Sequence, residues 1–141
     1  MPAKERPDRD VQEQPGDNIK YTAHNLVLLS WKRPDMSDTD AVQQRVYDYF
    51  NLCAQNDMRP SVEGLSLAFN TDRKTMWRWV NGADSKYMSD DTRHVLKMAY
   101  SLLNAQMADY MQNNRVNAVA GIFLMKNHFG YEDKTEVIVQ P

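Results

Sequence analysis

The sequence has only one cysteine, no long apolar run and no excess of positive charge. A single thiol, Cys53, excludes a disulfide within the chain and is typical of proteins in a reducing cytoplasm. No apolar run approaches the roughly 20 residues of a membrane-spanning helix, and the charged first residues do not resemble a secretory signal. The net charge of −2 is unlike that of proteins that coat nucleic acids non-specifically. Any contact with nucleic acid must therefore be local, or be multiplied by oligomerisation.

Motifs of enzymes and metal sites are also missing. There is no G-x-x-x-x-G-K-[ST] loop and no G-x-G-x-x-G turn for a nucleotide. The histidines are far apart, and none has a Cys or His neighbour at metal-ligand spacing. The aspartates within residues 35–40 precede a predicted helix, where capping is their expected role. We therefore predict a protein that is not an enzyme and has no metal or cofactor.

Residues 60–82 are the most informative stretch, and they predict two short helices joined by a tight turn. Ser61 and Asp72 are the expected N-caps of these helices. Asn70 enters the left-handed conformation readily and can turn the chain between them. Gly82 is the expected residue just after the second helix. The pattern is that of a helix-turn-helix; the alternative is a packed hairpin with a solvated basic face.

The second of these helices is expected to have an apolar side and a basic side. Met76, Trp79 and Val80 share the apolar side and should pack against the first helix. Trp77 either stacks on a sugar-phosphate backbone or covers the hinge between the helices. The residues that we predict to contact DNA are Arg73, Lys74, Thr75, Trp77 and Arg78.

The chain before this stretch contains a charged segment, a short apolar segment and a helix. Residues 1–20 hold prolines and charges but almost no large apolar groups, so we expect disorder rather than a basic arm that enters the minor groove. Residues 21–31 form either a strand or a helical turn, since periodicity does not decide between them. Residues 39–56 predict a helix, capped by Ser37 or Asp38, that supports the helix-turn-helix from behind.

Two further helices are expected to form a hairpin. Ser89 caps the first, which runs to residue 112, and the second covers residues 116–128. The second is apolar on most of its sides, which indicates burial on most sides. Either a partner subunit covers this surface, or the hairpin folds back on the helix-turn-helix. The residues that we predict at subunit contacts are Leu103, Met107, Tyr110, Met111, Ile122 and Met125.

The last residues alternate β-branched side chains and are prone to form a strand. A lone strand needs an edge to pair with, so this tail is either disordered until bound or assembled between subunits. The predicted fold is therefore all-α, with a disordered segment (1–20), a helix-turn-helix domain (21–86), a helical oligomerisation hairpin (87–128) and a β-prone tail (129–141).

Two segments resemble the small subunits of phage terminases, the proteins that recognise DNA for packaging. The first segment is S-V-x-G-L-x-L-A-F at 61–69, followed by Thr75 and the tryptophans of residues 77–79. The second and more specific one is A-G-I-F-x-x-K-N-x-F-G-Y-x-D-K at 120–134. The resemblance covers roughly residues 39–137, and the order of the predicted elements agrees with it.

The resemblance implies a non-enzymatic protein of the host cytoplasm that binds double-stranded viral DNA at a packaging-initiation site. It also implies a homo-oligomeric ring of more than four subunits, which delivers the DNA to the terminase large subunit, the carrier of the ATPase and nuclease. The tail would contact that partner, and the residues expected there are Tyr131, Lys134, Val137 and Ile138. Some relatives bind DNA through basic tails. This tail has no basic cluster, which leaves DNA contact to the helix-turn-helix.

Other functions fit the same helices. A helix-turn-helix regulator of transcription or replication, from a phage or mobile element, would be a dimer that reads a palindrome. A pure scaffold whose helix-turn-helix no longer binds DNA is a further alternative. The mass of the assembly in solution separates a ring from a dimer.

Overall fold

The computed structural model describes residues 12–82, 86–116 and 119–120. This part of the chain contains only α-helices among its regular elements, which confirms the predicted helical class for it. The helices are α1 (Asp17–Ser30), α2 (Thr39–Gln55), α3 (Val62–Ala68), α4 (Arg73–Val80) and α5 (Asp90–Gln112).

The helices α2 to α5 begin where their capping residues predict. Asp38 caps α2, and its carboxylate accepts hydrogen bonds from the backbone N–H groups of residues 40 and 41. Ser61 caps α3, Asp72 caps α4 and Ser89 caps α5, each through a side-chain oxygen that accepts an N–H three residues later. These local bonds satisfy N–H groups that a helix start leaves unpaired.

The turn between α3 and α4 closes in the way that Asn70 predicts. Asn70 has a φ of 53°, in the left-handed region. Its N–H donates to the carbonyl of Leu67 at 2.9 Å, and the N–H of Thr71 donates to the carbonyl of Ser66 at 3.0 Å. This pair of bonds is the Schellman arrangement, which ends a helix and reverses the chain within two residues. Gly82, with a φ of 83°, follows α4 as expected.

Helix α1 differs from the sequence-based expectation. It is a helix of 14 residues, so the strand alternative for residues 21–31 is wrong, and so is disorder for residues 17–20. The turn before it explains the early start, because the carboxylate of Asp17 accepts the N–H of Gln14 at 2.7 Å. Lys20 adds a tertiary contact, since its Nζ donates to the carbonyl of Asp57 at 2.6 Å. Packing and hydrogen bonds therefore order residues 17–20, which composition alone assigns to the disordered N-terminal segment.

The helices pack in a simple order around one core. Helix α1 packs on α3, α2 packs on α3 and α5, and α4 packs on α3 and α5. The core side chains come from all five helices and from three of the segments that connect them. Trp79 is only 3% exposed, as its place on the apolar side of α4 predicts. Cys53 is likewise buried, so its thiol is a core group.

Helix α5 requires one correction to the predicted subunit contacts. Leu103 is 4% exposed and lies in the core of the monomer, because it continues the inner stripe of Leu96, Ala99 and Tyr100 along α5. Tyr110 is half-buried, and the guanidinium of Arg59 lies 4.5 Å from the centroid of its ring.

The remaining predicted contacts are placed as follows. Met107 and Met111 are half-buried. The positions Ile122 and Met125, the expected helix 116–128 for the most part, and the tail residues Tyr131, Lys134, Val137 and Ile138 lie outside the described residues.

Candidate nucleic-acid interface

Helix α4 presents a basic outer side because its other side is committed to the core. Met76, Trp79 and Val80 are buried. At about 100° per residue, the direction opposite to them falls between Lys74 and Arg78, and both side chains are exposed. The helix itself contains no acidic residue. Two cations four residues apart therefore form the centre of the outward face.

Trp77 lies on the same outward face and is 52% exposed. Its carbonyl accepts a hydrogen bond from the Asn81 side-chain amide at 2.9 Å, which closes the end of α4. About half of the indole is therefore accessible to a ligand, whereas the other half is covered by the protein. An exposed indole beside cations can stack on a base or a sugar.

Arg73 and Thr75 flank this face, and both interact with other residues of the protein. Arg73 lies close enough to Tyr100 of α5 for its charge to act on the tyrosine pKa, which burial raises to about 12. Thr75 belongs to the cap of α4, since its N–H donates to Asp72 at 2.7 Å and its hydroxyl also bonds that carboxylate. The predicted contact residues thus form a centre of Lys74, Trp77 and Arg78, with Arg73 and Thr75 at its flanks.

The N-terminus of α4 already holds an anion of its own. The Asp72 carboxylate accepts the bonds from Thr75, and these bonds, with the nearby charge of Lys74, hold its pKa below the usual value. A helix N-terminus would otherwise attract a phosphate. Asp72 fills this place, so the cationic groups that α4 offers to a phosphate are its side chains, with Lys74 and Arg78 exposed.

Arg33, in the loop between α1 and α2, holds the turn that leads into α4. Its Nε donates to the carbonyl of Phe69 at 3.3 Å, and an Nη donates to the carbonyl of Asn70 at 2.9 Å. The guanidinium also lies 5.2 Å from the centroid of the Trp79 ring. One cation therefore joins the end of α3 to the buried side of α4.

Arg45 of α2 holds the same end of α3 from another direction. Its Nη1 donates to the carbonyls of Ala68 at 2.7 Å and Lys32 at 2.6 Å, and its guanidinium lies 5.1 Å from the Trp31 ring centroid. Desolvation by the surrounding protein lowers the pKa of Arg45. Together with Arg33, it places positive charge at the C-terminal, negative end of the α3 dipole. These two arginines position the unit formed by α3, its turn and α4, which we call the α3–α4 unit.

Tyr49 fixes the start of the α3–α4 unit. Its hydroxyl accepts the N–H of Ser61 at 2.9 Å and donates to the Ser61 carbonyl at 3.3 Å. A Cβ added at Gly64 would collide with this hydroxyl. Gly64 is therefore required by the close approach of the Tyr49 ring to the first turn of α3.

A buried polar cluster joins α1 to the end of α2. His24 is 3% exposed; its Nδ1 accepts from the Asn56 amide at 3.0 Å, and its Nε2 lies 3.9 Å from Sγ of Cys53. Burial, with a smaller effect of Lys20, lowers the pKa of His24. A neutral imidazole that accepts at Nδ1 carries its proton on Nε2. The cluster is thus a structural link between helices.

Other kinds of site are not found among the residues described. Within residues 12–82, 86–116 and 119–120, no three His, Cys, Asp or Glu side chains come together to hold a metal ion. None of the helices in that part of the chain has both the length and the apolar composition of a membrane span.

The sequence indicates the outward face of α4 but not the residues that position it. Arg33 and Arg45 act across 36 and 23 residues of chain to reach Phe69 and Ala68. The only sequence signal is the general preference of cations for helix C-termini, which does not say which helix a remote arginine meets.

A comparison with protein families gives one match. A family model described as DNA-packaging protein gp3 matches residues 32–137, more than half of the chain. The matched range includes α2, α3, α4 and α5. No curated protein and no solved structure matches the chain significantly. The family match confirms the DNA-packaging resemblance that the two sequence segments indicate.

Proposed function

Because the chain belongs to the family of DNA-packaging protein gp3, we propose that it selects viral DNA for packaging, as a terminase small subunit. In this role it binds the packaging-initiation site, carries out no chemical step itself, and hands the DNA to a large subunit with ATPase and nuclease activities. Its place of action is the cytoplasm of the infected host.

The α3–α4 unit acts as a helix-turn-helix in this proposal, with α4 as the helix that meets DNA. Support comes from the exposed cations Lys74 and Arg78, with the exposed indole of Trp77 beside them. The buried Met76, Trp79 and Val80 leave only this side of α4 for a ligand. Arg73 and Thr75 contribute at the flanks, where a phosphate can approach after the helix has docked.

The subunits act as a ring of more than four copies. One subunit has a net charge of −2 and only a small basic face, so on its own it binds DNA weakly. A ring repeats the face and raises the effective concentration of each further contact, without any new kind of interaction. The tail, with Tyr131, Lys134, Val137 and Ile138, is the proposed contact with the large subunit.

The observation that carries the proposal is the family match over the helices that form the basic face. Its test is to incubate the full chain with fragments of the viral genome, recover bound fragments for sequencing and measure the mass of the complex. We expect enrichment of one packaging-initiation region by an assembly of more than four subunits. Enrichment of short palindromes by a stable dimer would contradict packaging and support a regulator.

A further inference from the structure

Helix α1 has an apolar face that no described part of the subunit covers. His24 and Leu28 point inward and are buried. On the opposite side, Ile19, Leu26 and Leu29 are 78%, 58% and 56% exposed. Their spacing of seven and three residues places them on one stripe of the helix. We call this stripe the α1 ridge.

The α1 ridge also lacks the charges that normally keep a surface helix in water. Asp17 and Lys20, both in the first turn, are the only charged residues of α1. No Asp, Glu, Lys or Arg occurs from residue 21 to residue 30. A contiguous exposed apolar surface on a protein can be a site of interaction.

A second apolar surface that no described residue covers lies between α2 and α5. It is a groove of about 290 Å³, and we call it the α2–α5 groove. Tyr47 and Met98 on its walls are each 54% exposed, and Leu102 is 44% exposed. None of the residues that line it is an aspartate, glutamate, lysine or arginine.

The ridge and the groove lie on different sides of the subunit. One side of α2 faces α3 and α1, and its contacts with them come from Arg45, Tyr49 and Cys53. The α2 residues that line the groove, such as Tyr47, are turned away from these by roughly 120°, at about 100° per residue. A ridge and a groove so placed are available to two neighbours at once.

We propose that the α1 ridge of one subunit inserts into the α2–α5 groove of the next copy of the chain. The dimensions agree, because the ridge from Ile19 to Leu29 is about 15 Å long and the groove wall from His94 to Leu102 is about 12 Å long, at 1.5 Å per residue. The charges agree as well, since neither surface would bury an unpaired charge on contact. The ridge is convex and the groove is concave, so their shapes are complementary.

The proposed contact is heterologous, and this property decides the shape of the assembly. Each subunit uses one surface as donor and a different one as acceptor, so the contact repeats head to tail and closes a ring if the rotation permits. The inference deepens and rests on the proposed ring of packaging subunits. It moves the assembly surface away from Leu103, which is buried in the monomer, to Ile19, Leu26, Leu29, Tyr47, Met98 and Leu102.

The test uses two variants of the full chain, Leu26→Asp on the ridge and Met98→Asp in the groove. Each replaces an exposed side chain, so each should stay folded by circular dichroism. Ile19→Asp and Leu102→Asp are second variants of the same two surfaces. Asn25→Asp on α1 and Ser101→Asp on α5 are matched controls, because they add the same charge to exposed positions off the two surfaces.

We expect each surface variant alone to be a monomer by light scattering, while the controls keep the mass of the wild type. Mixing Leu26→Asp with Met98→Asp should give a 1:1 pair of twice the subunit mass that grows no further. In that pair the intact ridge of one variant fills the intact groove of the other, and both remaining surfaces are blocked.

Other results would overturn the inference. If Leu26→Asp alone is monomeric and Met98→Asp keeps the wild-type mass, the ridge pairs with another ridge. If the mixture yields no pair, something other than a second copy, such as the chain's own residues beyond 120, fills the groove. If both variants keep the wild-type ring, this interface is wrong while the proposed function stands. A wild-type chain that is a stable dimer would contradict the ring itself.

Discussion

The guanidinium of Arg33 lies 5.2 Å from the ring centroid of Trp79, and it reaches there from a loop more than 40 residues earlier in the chain. The same guanidinium donates to the carbonyls of Phe69 and Asn70, which form the turn into α4. Trp79 is buried on the inner side of α4. The contact therefore fixes the orientation of α4 on the subunit. It thereby also fixes the direction in which Lys74 and Arg78 face the solvent.

Replacing Arg33 should weaken both the fold and the presentation of α4. We expect Arg33→Met to lower the free energy of unfolding by about 1–2 kcal/mol, because the charged hydrogen bonds and the cation–π interaction disappear. The measurement is the urea midpoint. Lys32→Met is the matched control, since it removes the same charge from the adjacent exposed position. Equal stability of the two variants would show that Arg33 does not hold the turn.

The sign of the stability change caused by Gly64→Ala shows whether the Tyr49 ring leaves room for a side chain at this position. In an open helix this change stabilises by about 1 kcal/mol, because alanine is the better helix former. Here the new Cβ meets the hydroxyl of Tyr49, so we expect instead a destabilisation of about 1–3 kcal/mol. Denaturation of the purified variant decides between the signs. A stabilised variant would mean that the Tyr49 ring moves away at no cost.

A double-mutant cycle tests the cause of that penalty. Tyr49→Phe removes the hydroxyl that collides with the added Cβ, but it also leaves the Ser61 N–H without its partner. Tyr49→Phe alone should therefore cost about 1–3 kcal/mol. The penalty of Gly64→Ala should be smaller in the Tyr49→Phe background than in the wild type. An identical penalty in both backgrounds would place the collision elsewhere.

Local signals account for what the sequence predicts well. The caps Ser61, Asp72 and Ser89 bond N–H groups three residues away, and Asn70 turns the chain through its own φ. Such features depend on neighbours in sequence, so a pattern of residues is sufficient to find them. The buried side of α4 follows in the same way from the helical period.

Contacts between distant residues account for what the sequence does not predict. The apolar stripe of α5 holds Leu103 and Leu102 side by side, yet Leu103 is buried and Leu102 is 44% exposed. Periodicity gives the stripe but not the edge at which the neighbouring helix stops covering it. Helix α1 is hard to find for a related reason, since apolar residues on two opposite sides weaken the amphipathic signal that identifies a helix.

The pH dependence of stability should report the buried His24. Its pKa is lowered in the folded protein by burial and by Lys20, whereas in the unfolded chain it lies near the ordinary value of about 6.5. The unfolded state then binds a proton that the folded state does not. Stability should therefore be fully present above about pH 6.5 and fall as the pH drops below it, by at most about 1.4 kcal/mol per pH unit for one group.

His24→Gln separates this effect from other titrations. The glutamine removes the titrating group, so the fall in unfolding free energy between about pH 6.5 and pH 5 should become shallower. Asn25→Gln is the control at the neighbouring exposed position and should keep the wild-type profile. A wild-type profile in the His24 variant would show that another group causes the acid sensitivity.

The outward face of α4 is the central claim, and the salt dependence of DNA binding tests it most directly. The variant Lys74→Ala/Arg78→Ala removes the two cations at the centre of this face, and Arg115→Ala removes an exposed cation beyond the end of α5 as a control. The assembly mass of all three proteins must first be shown to be equal, so that avidity does not enter the comparison. Affinity is then measured over a series of salt concentrations.

We predict that the double variant binds DNA more weakly than the wild type. The slope of log K against log salt should become shallower by about 0.9 for each phosphate that the variant no longer neutralises. Arg115→Ala should leave both the affinity and the slope close to those of the wild type. An unchanged affinity and slope in the double variant, with the assembly intact, would show that DNA binds to another surface of this protein.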